Sequence, residues 1–118
     1  SNLSQRKLKP NHYLVRFMAG PVWKNIYRLS DEQIASLDEA EERMEVLDIS
    51  GAEEILLRML KEHPNCVPVL NNLGHMSGRY LSEFEKAVEY YDMVLEIEPD
   101  NAWARDERRR YRRYLTYD

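Results

Sequence analysis

The side chains of this sequence that most readily support catalysis or metal binding are three histidines and one cysteine. His63 and Cys66 stand on either side of a predicted helix break, and His12 and His75 lie elsewhere in the chain. A structural zinc site needs four suitably spaced ligands, and a nucleophilic cysteine needs a base and a positively charged setting. Neither requirement is met, so the sequence predicts no metal site, no bound cofactor and no cysteine nucleophile.

Carboxylates are plentiful, but their spacing is typical of a solvated helix face. Glu39, Glu41, Glu42 and Glu45 follow one flank of a predicted helix and do not form a paired acid and base. The segment LGHMSG lacks the lysine and the spacing of a phosphate-binding loop. Because no catalytic constellation is present, we predict that the chain is not an enzyme.

An arginine- and tyrosine-rich segment, RDERRRYRRYLTY, spans residues 105–117. Its arginines would contact phosphates and its tyrosines would stack on bases in an RNA-binding helical domain. At helical spacing, however, Tyr111, Tyr114 and Leu115 also form one apolar side and leave the arginines in solvent. Because the net charge is −4, nucleic-acid binding is the less favoured interpretation.

The length and composition are those of one soluble globular domain. The chain has 118 residues, of which 43% are hydrophobic and 32% are charged. No run approaches the roughly 20 apolar residues that a membrane-spanning helix needs. A single cysteine excludes an internal disulfide and fits the cytoplasm or another reducing compartment. The first residue is Ser1, which leaves an excised targeting segment open.

Charge is unevenly distributed along the chain. Residues 1–29 carry six Lys or Arg and no acid, whereas residues 30–63 carry eleven acids and three bases. Residues 64–101 are also acidic, and residues 102–118 contain six arginines. A basic N-terminal segment beside an acidic body indicates a charged partner or contact between the two segments.

Five helices are predicted after residue 30, near 31–47, 51–62, 66–80, 83–97 and 102–115. Prolines set two of the ends, at His63-Pro64 and Glu98-Pro99, because a residue before proline is disfavoured in a helix. The predicted capping residues are Ser30 with Gln33, Ser50 with Glu53, Ser82 with Glu85, Asn65 and Asn101. Short links favour antiparallel packing of neighbouring helices, so the predicted fold class is all-α.

A pattern of residues occurs twice with an offset of 35. Ala52, Leu56, Met59 and Pro64 correspond to Ala87, Tyr91, Val94 and Pro99. The alanine permits close approach of a second helix, and the apolar residues four and seven positions later form a buried stripe. Ahead of the second copy, Leu70, Leu73 and Gly74 read L-x2-L-G.

These motifs resemble the tetratricopeptide repeat, a 34-residue helix-turn-helix unit with the pattern W-x2-L-G-x2-Y…A-x3-F…P. The resemblance covers repeat one at about 33–66 and repeat two at about 67–101, followed by a capping helix at about 102–116. It departs from the pattern at Leu70 and Ser77, and the link before Ala87 is one residue longer. The resemblance implies antiparallel hairpins stacked as a short right-handed solenoid, because one hairpin cannot bury its apolar face alone.

The resemblance also implies a concave face that binds a peptide. The residues expected on that face are Ile34, Leu37, Glu41, Met44, Asn71, Asn72, His75 and Arg110. Some relatives hold chaperone C-termini with a two-carboxylate clamp of Lys, Asn and Arg. Asn72 matches one clamp position, but Leu37, Glu41, Trp103 and Asp106 stand at the others, so the clamp is incomplete.

The N-terminal segment 1–29 contains many large apolar side chains, each worth roughly 1.5–3 kcal/mol on burial. Two repeats are fewer than the three that usually stack stably. Three interpretations follow: the segment caps the first repeat, docks into the groove, or joins two copies as a homodimer. The residues expected to make these contacts are Tyr13, Phe17, Trp23 and Tyr27.

The sequence therefore favours a non-catalytic scaffold or adaptor that binds a protein or peptide through the concave surface of a two-repeat domain. The alternative is a structural subunit that self-associates through residues 1–29. An RNA-binding helical domain is the third interpretation, and no membrane span is expected.

Overall fold

The computed structural model describes residues 27–116, which contain five α-helices and one π-helical turn and no strand. This confirms the all-α prediction for this part of the chain. The α-helices are α1 (Asp31–Glu45), α2 (Ile49–Glu62), α3 (Val67–His75), α4 (Phe84–Ile97) and α5 (Ala102–Leu115), and the π turn Met76–Tyr80 continues α3.

Two predicted helix starts are confirmed by their hydrogen bonds. At α1, the Gln33 N–H donates to Ser30 Oγ at 3.1 Å and the Ser30 N–H donates to Gln33 Oε1 at 2.8 Å. At α5, the Ala104 N–H donates to Asn101 Oδ1 at 2.9 Å. These bonds satisfy backbone donors that the first helical turn leaves unpaired. The proline-directed ends are also confirmed, since α2 and α4 end immediately before His63 and Glu98.

The prediction that Ser50 caps α2 was wrong. Asp48 holds that position and accepts from the Gly51 N–H at 3.1 Å, so α2 begins earlier. The reason is the way in which α1 ends. The Leu47 N–H donates to Met44 O at 3.0 Å and the Asp48 N–H donates to Arg43 O at 2.8 Å, which completes a Schellman motif. This closure brings Asp48 directly to the start of the next helix.

The predictions for the caps of α3 and α4 were also wrong. Cys66 and not Asn65 precedes α3, and its side chain makes no capping bond. Ser82 has a left-handed backbone with φ of 54°, and Glu83 precedes α4 without a side-chain cap. In the second case, Ser82 lies in the link between the π turn and α4, and its left-handed backbone differs from the extended conformation of a capping residue.

Consecutive helices pack against one another, α1 on α2, α2 on α3, α3 on α4 and α4 on α5. The apolar positions of the repeated pattern lie in this core. Its α2 members are Ala52, Leu56 and Met59, its α4 members are Ala87, Tyr91 and Val94, and all six are buried. The pattern therefore marks the inner faces of α2 and α4.

Two glycines mark the closest approaches to neighbouring helices. A Cβ on Gly74 would lie 2.7 Å from Tyr91 Cζ, so only glycine lets the Tyr91 ring pack against α3. A Cβ on Gly78, in the π turn, would lie 2.6 Å from Tyr111 Cε1 on α5. The Gly74 contact involves the glycine of the L-x2-L-G motif, whereas the Gly78 contact lies in the π turn.

Candidate binding face

The candidate binding face is built on α3, where two adjacent asparagines are buried. Every residue from Val67 to Gly74 is buried, including Asn71 and Asn72. The Asn72 amide Nδ2 donates to Pro68 O at 2.9 Å and lies 3.5 Å from Glu41 Oε2 on α1. Asn72 therefore ties α3 to α1 through a buried carboxylate.

The side-chain oxygens of Asn71 and Asn72 lack hydrogen bonds within the described part of the chain, unlike the Asn72 amide nitrogen. The Oδ1 atoms of Asn71 and Asn72 are both buried, and neither accepts a hydrogen bond within residues 27–116. Asn71 is 8% exposed, and Asn72 is 4% exposed. A buried acceptor without a donor costs about 1–3 kcal/mol. Asparagines that stabilised only the core would be expected to have both ends paired.

His75 lies one helical turn beyond Asn71 on the same side of α3. Its ring meets the Tyr80 ring edge-on, with 5.8 Å between the ring centroids. Burial, together with the positive charges of Arg79 and Arg110, lowers the pKa of His75 to about 4. The imidazole is therefore neutral at pH 7, and it adds hydrogen-bonding capacity without charge.

Arg79 at the end of the π turn and Arg110 on α5 approach the same region from two elements. Arg110 Nε lies 3.5 Å from Glu107 Oε1, and Glu107 is buried whereas the Arg110 side chain is 57% exposed. Burial raises the pKa of Glu107, and the nearby Arg110 opposes that rise. The long separation between Arg110 and Glu107 leaves the guanidinium with donors facing solvent.

Three aromatic rings lie beside these arginines. Tyr111 stacks on Phe84 with 5.9 Å between centroids, and Tyr114 is tilted against Phe84 at 4.9 Å. Tyr111 is buried, whereas Tyr114 is 50% exposed. The pair distances are those of favourable aromatic contacts, so the rings form a continuous apolar wall.

The expected concave-face residues differ in how far they are exposed. Leu37, Met44 and Glu41 are buried in α1, and the first two belong to the hydrophobic core. Ile34 and His75 are half-buried, and Arg110 is exposed. Two pairs of polar members lie near one another: Asn72 donates a hydrogen bond to Glu41, and the positive charge of Arg110 contributes to the lowered pKa of His75.

The positions at which the clamp is incomplete do not supply cations. Leu37 and Glu41 are buried, Trp103 is half-buried and Asp106 is exposed. This part of the face therefore lacks the charges with which such a clamp holds two carboxylates.

Of the residues considered for metal or nucleophile chemistry, His12 lies outside the described residues. Cys66 is buried, and burial raises the pKa of its thiol, which disfavours the reactive thiolate. Within the described part of the chain, no group of three or more His, Cys, Asp or Glu is placed to hold a metal ion.

Of the residues expected to cap the domain or join two copies, Tyr13, Phe17 and Trp23 lie outside the described residues. Tyr27 is half-buried, packs against the core of its own chain, and donates its hydroxyl to Glu98 Oε1 at 3.1 Å. Burial and the acceptor Glu98 raise the pKa of Tyr27, so the phenol stays protonated and remains a donor.

Sequence reasoning missed Arg79, Ser82, Phe84 and Glu107 as neighbours of the binding face. The available signal was the one-residue lengthening of the link before Ala87, together with the spacing of Gly74 and Gly78. Neither signal reveals where an arginine side chain will lie without the three-dimensional path of the π turn.

Comparison with known proteins leaves the chain without an assigned family. No family model matches it, no curated protein is significantly similar, and no solved structure matches its fold. Within residues 27–116, none of the helices has the length and apolar character required to cross a membrane.

Proposed function

We propose that this chain is a non-catalytic scaffold that binds a protein or peptide partner on the face formed by α1, α3 and α5. We also propose that its helices form a short tetratricopeptide-like solenoid. The equivalent burial of the two repeat copies supports this arrangement. So does the π turn, which accommodates one residue more than the repeat pattern holds between Gly74 and Ala87.

The observation that carries the binding proposal is the unpaired acceptor of Asn71. Its Oδ1 atom is buried, and the side chain makes no hydrogen bond to residues 27–116. The backbone N–H of an extended peptide is a donor of the right kind, and binding it would recover the free energy lost by the unpaired oxygen. Because this oxygen is covered in the structure, the proposal requires the face to open when a ligand arrives.

Peptide selection tests the proposal. Twelve-residue peptides would be selected from a random library against the full chain, and their Kd values measured by fluorescence anisotropy. Asn71→Leu should weaken binding about tenfold, which is the effect of losing about 1.4 kcal/mol. Asn65→Leu is the matched control, because Asn65 is exposed and precedes α3. Its Kd should stay unchanged.

Two outcomes would contradict the proposal. Failure to enrich any peptide family would remove the evidence for a peptide-binding face. Peptides whose Kd is unaffected by Asn71→Leu would show that binding occurs on another surface.

A further inference from the structure

A cleft of about 190 Å³ lies between the π turn, the link to α4 and α5. Its walls combine two arginines with aromatic rings and one hydroxyl, and its lining within residues 27–116 contains no carboxylate. The residues that define it are Arg79, Ser82, Phe84, Arg110, Tyr111 and Tyr114.

The charge of the cleft is positive. Arg79 is exposed and makes no hydrogen bond or ion pair within the described part of the chain. Arg110 Nε lies 3.5 Å from Oε1 of Glu107, which is buried behind the cleft, and the charges of Arg110 and Arg79 both lower the pKa of Glu107 against the rise caused by its burial. Both guanidiniums line the cleft, Glu107 compensates their charge only in part, and an anion bound there accepts several of their N–H bonds.

The other walls of the cleft are apolar. The rings of Phe84, Tyr111 and Tyr114 contact one another, with 6.2 Å between the centroids of the two tyrosines. A planar or aliphatic group that enters beside them buries apolar surface on both sides. The cleft therefore fits an anionic oxygen group that is carried on a short apolar or aromatic stem.

The π turn fixes the geometry of one wall. The Leu81 N–H donates to Met76 O at 3.2 Å, and the Glu83 N–H donates to Ser77 O at 2.8 Å. These bonds hold Ser82 in the left-handed conformation at the mouth of the cleft. π turns within helices are frequent at functional sites, where they redirect a side chain.

We infer that this cleft binds an anionic phosphate or carboxylate group on an aromatic or apolar side chain of the peptide partner. Arg79 and Arg110 donate to the anionic oxygens, and the rings of Phe84 and Tyr114 contact the stem. This inference rests on the proposed function, since the partner is the peptide that occupies the α3 face.

Small probes test the ligand class directly on the full, 15N-labelled chain. Phenyl phosphate and phenylacetate carry the two kinds of anion, and phenylacetamide is the neutral match of phenylacetate. NMR titration would follow the arginine Nε–H signals. Both anions should shift the Arg79 and Arg110 signals saturably, and phenylacetamide should leave them unchanged. An equal response to phenylacetamide would overturn the inference.

Matched variants then locate the contact. Arg79→Gln should raise the Kd of the better anion about tenfold, whereas Arg109→Gln should change it less than about twofold. The two variants lose the same charge, and Arg109 is exposed but does not line the cleft. Because Arg79 is exposed and makes no ion pair within residues 27–116, its substitution is expected to leave the fold intact. Equal weakening by the two variants would show general electrostatic attraction and refute a specific site.

The same variants separate this inference from the proposed function and from nucleic-acid binding. Selected peptides that depend on Asn71 but not on Arg79 would refute the cleft while the scaffold function stands. Anion binding without any selectable peptide would refute the peptide partner and retain the cleft. A short oligouridylate that is weakened equally by Arg79→Gln and Arg109→Gln would assign the arginines to nonspecific phosphate contact and refute the inference.

Discussion

Substitution of the adjacent asparagines of α3 by leucine should change stability in opposite directions. Asn71 makes no hydrogen bond to residues 27–116, and its Oδ1 atom is buried. Asn72 instead donates to Pro68 O at 2.9 Å and lies 3.5 Å from Glu41 Oε2. Removal of the two side chains should therefore change the free energy of unfolding differently, although the residues are neighbours in one helix.

The expected magnitudes follow from these contacts. Asn71→Leu removes an unpaired buried acceptor, which costs about 1–3 kcal/mol, and leucine has the better helix propensity by about 0.5 kcal/mol. We expect a gain of about 1–2 kcal/mol after allowance for imperfect packing of the new side chain. Asn72→Leu removes a donor from the buried Glu41 carboxylate and should destabilise the fold by about 1–3 kcal/mol.

Thermal unfolding of the full chain, followed by circular dichroism, measures both changes. At about 4 °C or more per kcal/mol for a domain near 100 residues, the thermal midpoints should separate by roughly 10 °C or more. Equal destabilisation by the two substitutions would refute the reasoning, because it would show that Asn71 also has a stabilising partner. In the peptide assay, the Asn71→Leu variant should bind peptide less tightly although it is more stable. The unpaired Asn71 oxygen lowers the stability of the free chain, but it is the acceptor proposed to bind the peptide.

Three further predictions concern backbone conformation, packing and pH. Leu47→Gly should stabilise the chain by about 1 kcal/mol in urea unfolding, because Leu47 is 70% exposed and has a left-handed φ of 65°; Val46→Gly, at φ of −93°, should not. Gly74→Ala should lower stability by about 1–3 kcal/mol in thermal unfolding, because its Cβ would collide with the buried Tyr91 ring. The pKa of His75 is lowered to about 4, so the unfolded chain binds this proton more readily. Its contribution to stability should be complete above about pH 6.5 and decrease as the pH falls towards 4. His75→Gln should make the midpoint urea concentration depend less on pH over that range. An unchanged pH dependence would contradict the assignment.

The helices could be predicted because their signals are local. The buried positions along α2 and α4 follow from the helical spacing of the apolar residues. The helix ends at His63 and Glu98 follow from the adjacent prolines. Cap positions were predicted less well, because a cap depends on how the preceding helix ends. The Schellman closure after α1 selects Asp48 and makes Ser50 an ordinary first-turn residue. That closure requires a left-handed backbone at Leu47, and the amino-acid sequence gives no indication of this conformation.

The candidate site was predictable only where it follows the periodicity of one helix. Asn71, Asn72 and His75 share a short stretch of α3, so their spacing alone places them near one face. The approach of Arg79 to Arg110 joins residues that are distant in sequence and belong to different elements. It depends on the angle at which the π turn leaves α3, and one residue more or less in that turn changes the direction of every side chain after it.

The π turn therefore links the departure from the repeat pattern to the proposed cleft. A π turn has poorer hydrogen-bond geometry than an α-helix, so it persists where the surrounding packing compensates for it. Here Met76, Ser77 and Gly78 are buried, and Tyr111 packs against the backbone of Gly78. The same Tyr111 ring also forms a wall of the cleft. The packing of Tyr111 that stabilises the longer link before Ala87 thus also forms the surface beside Arg79. Selection for the cleft would therefore be enough to retain both the longer link and Gly78.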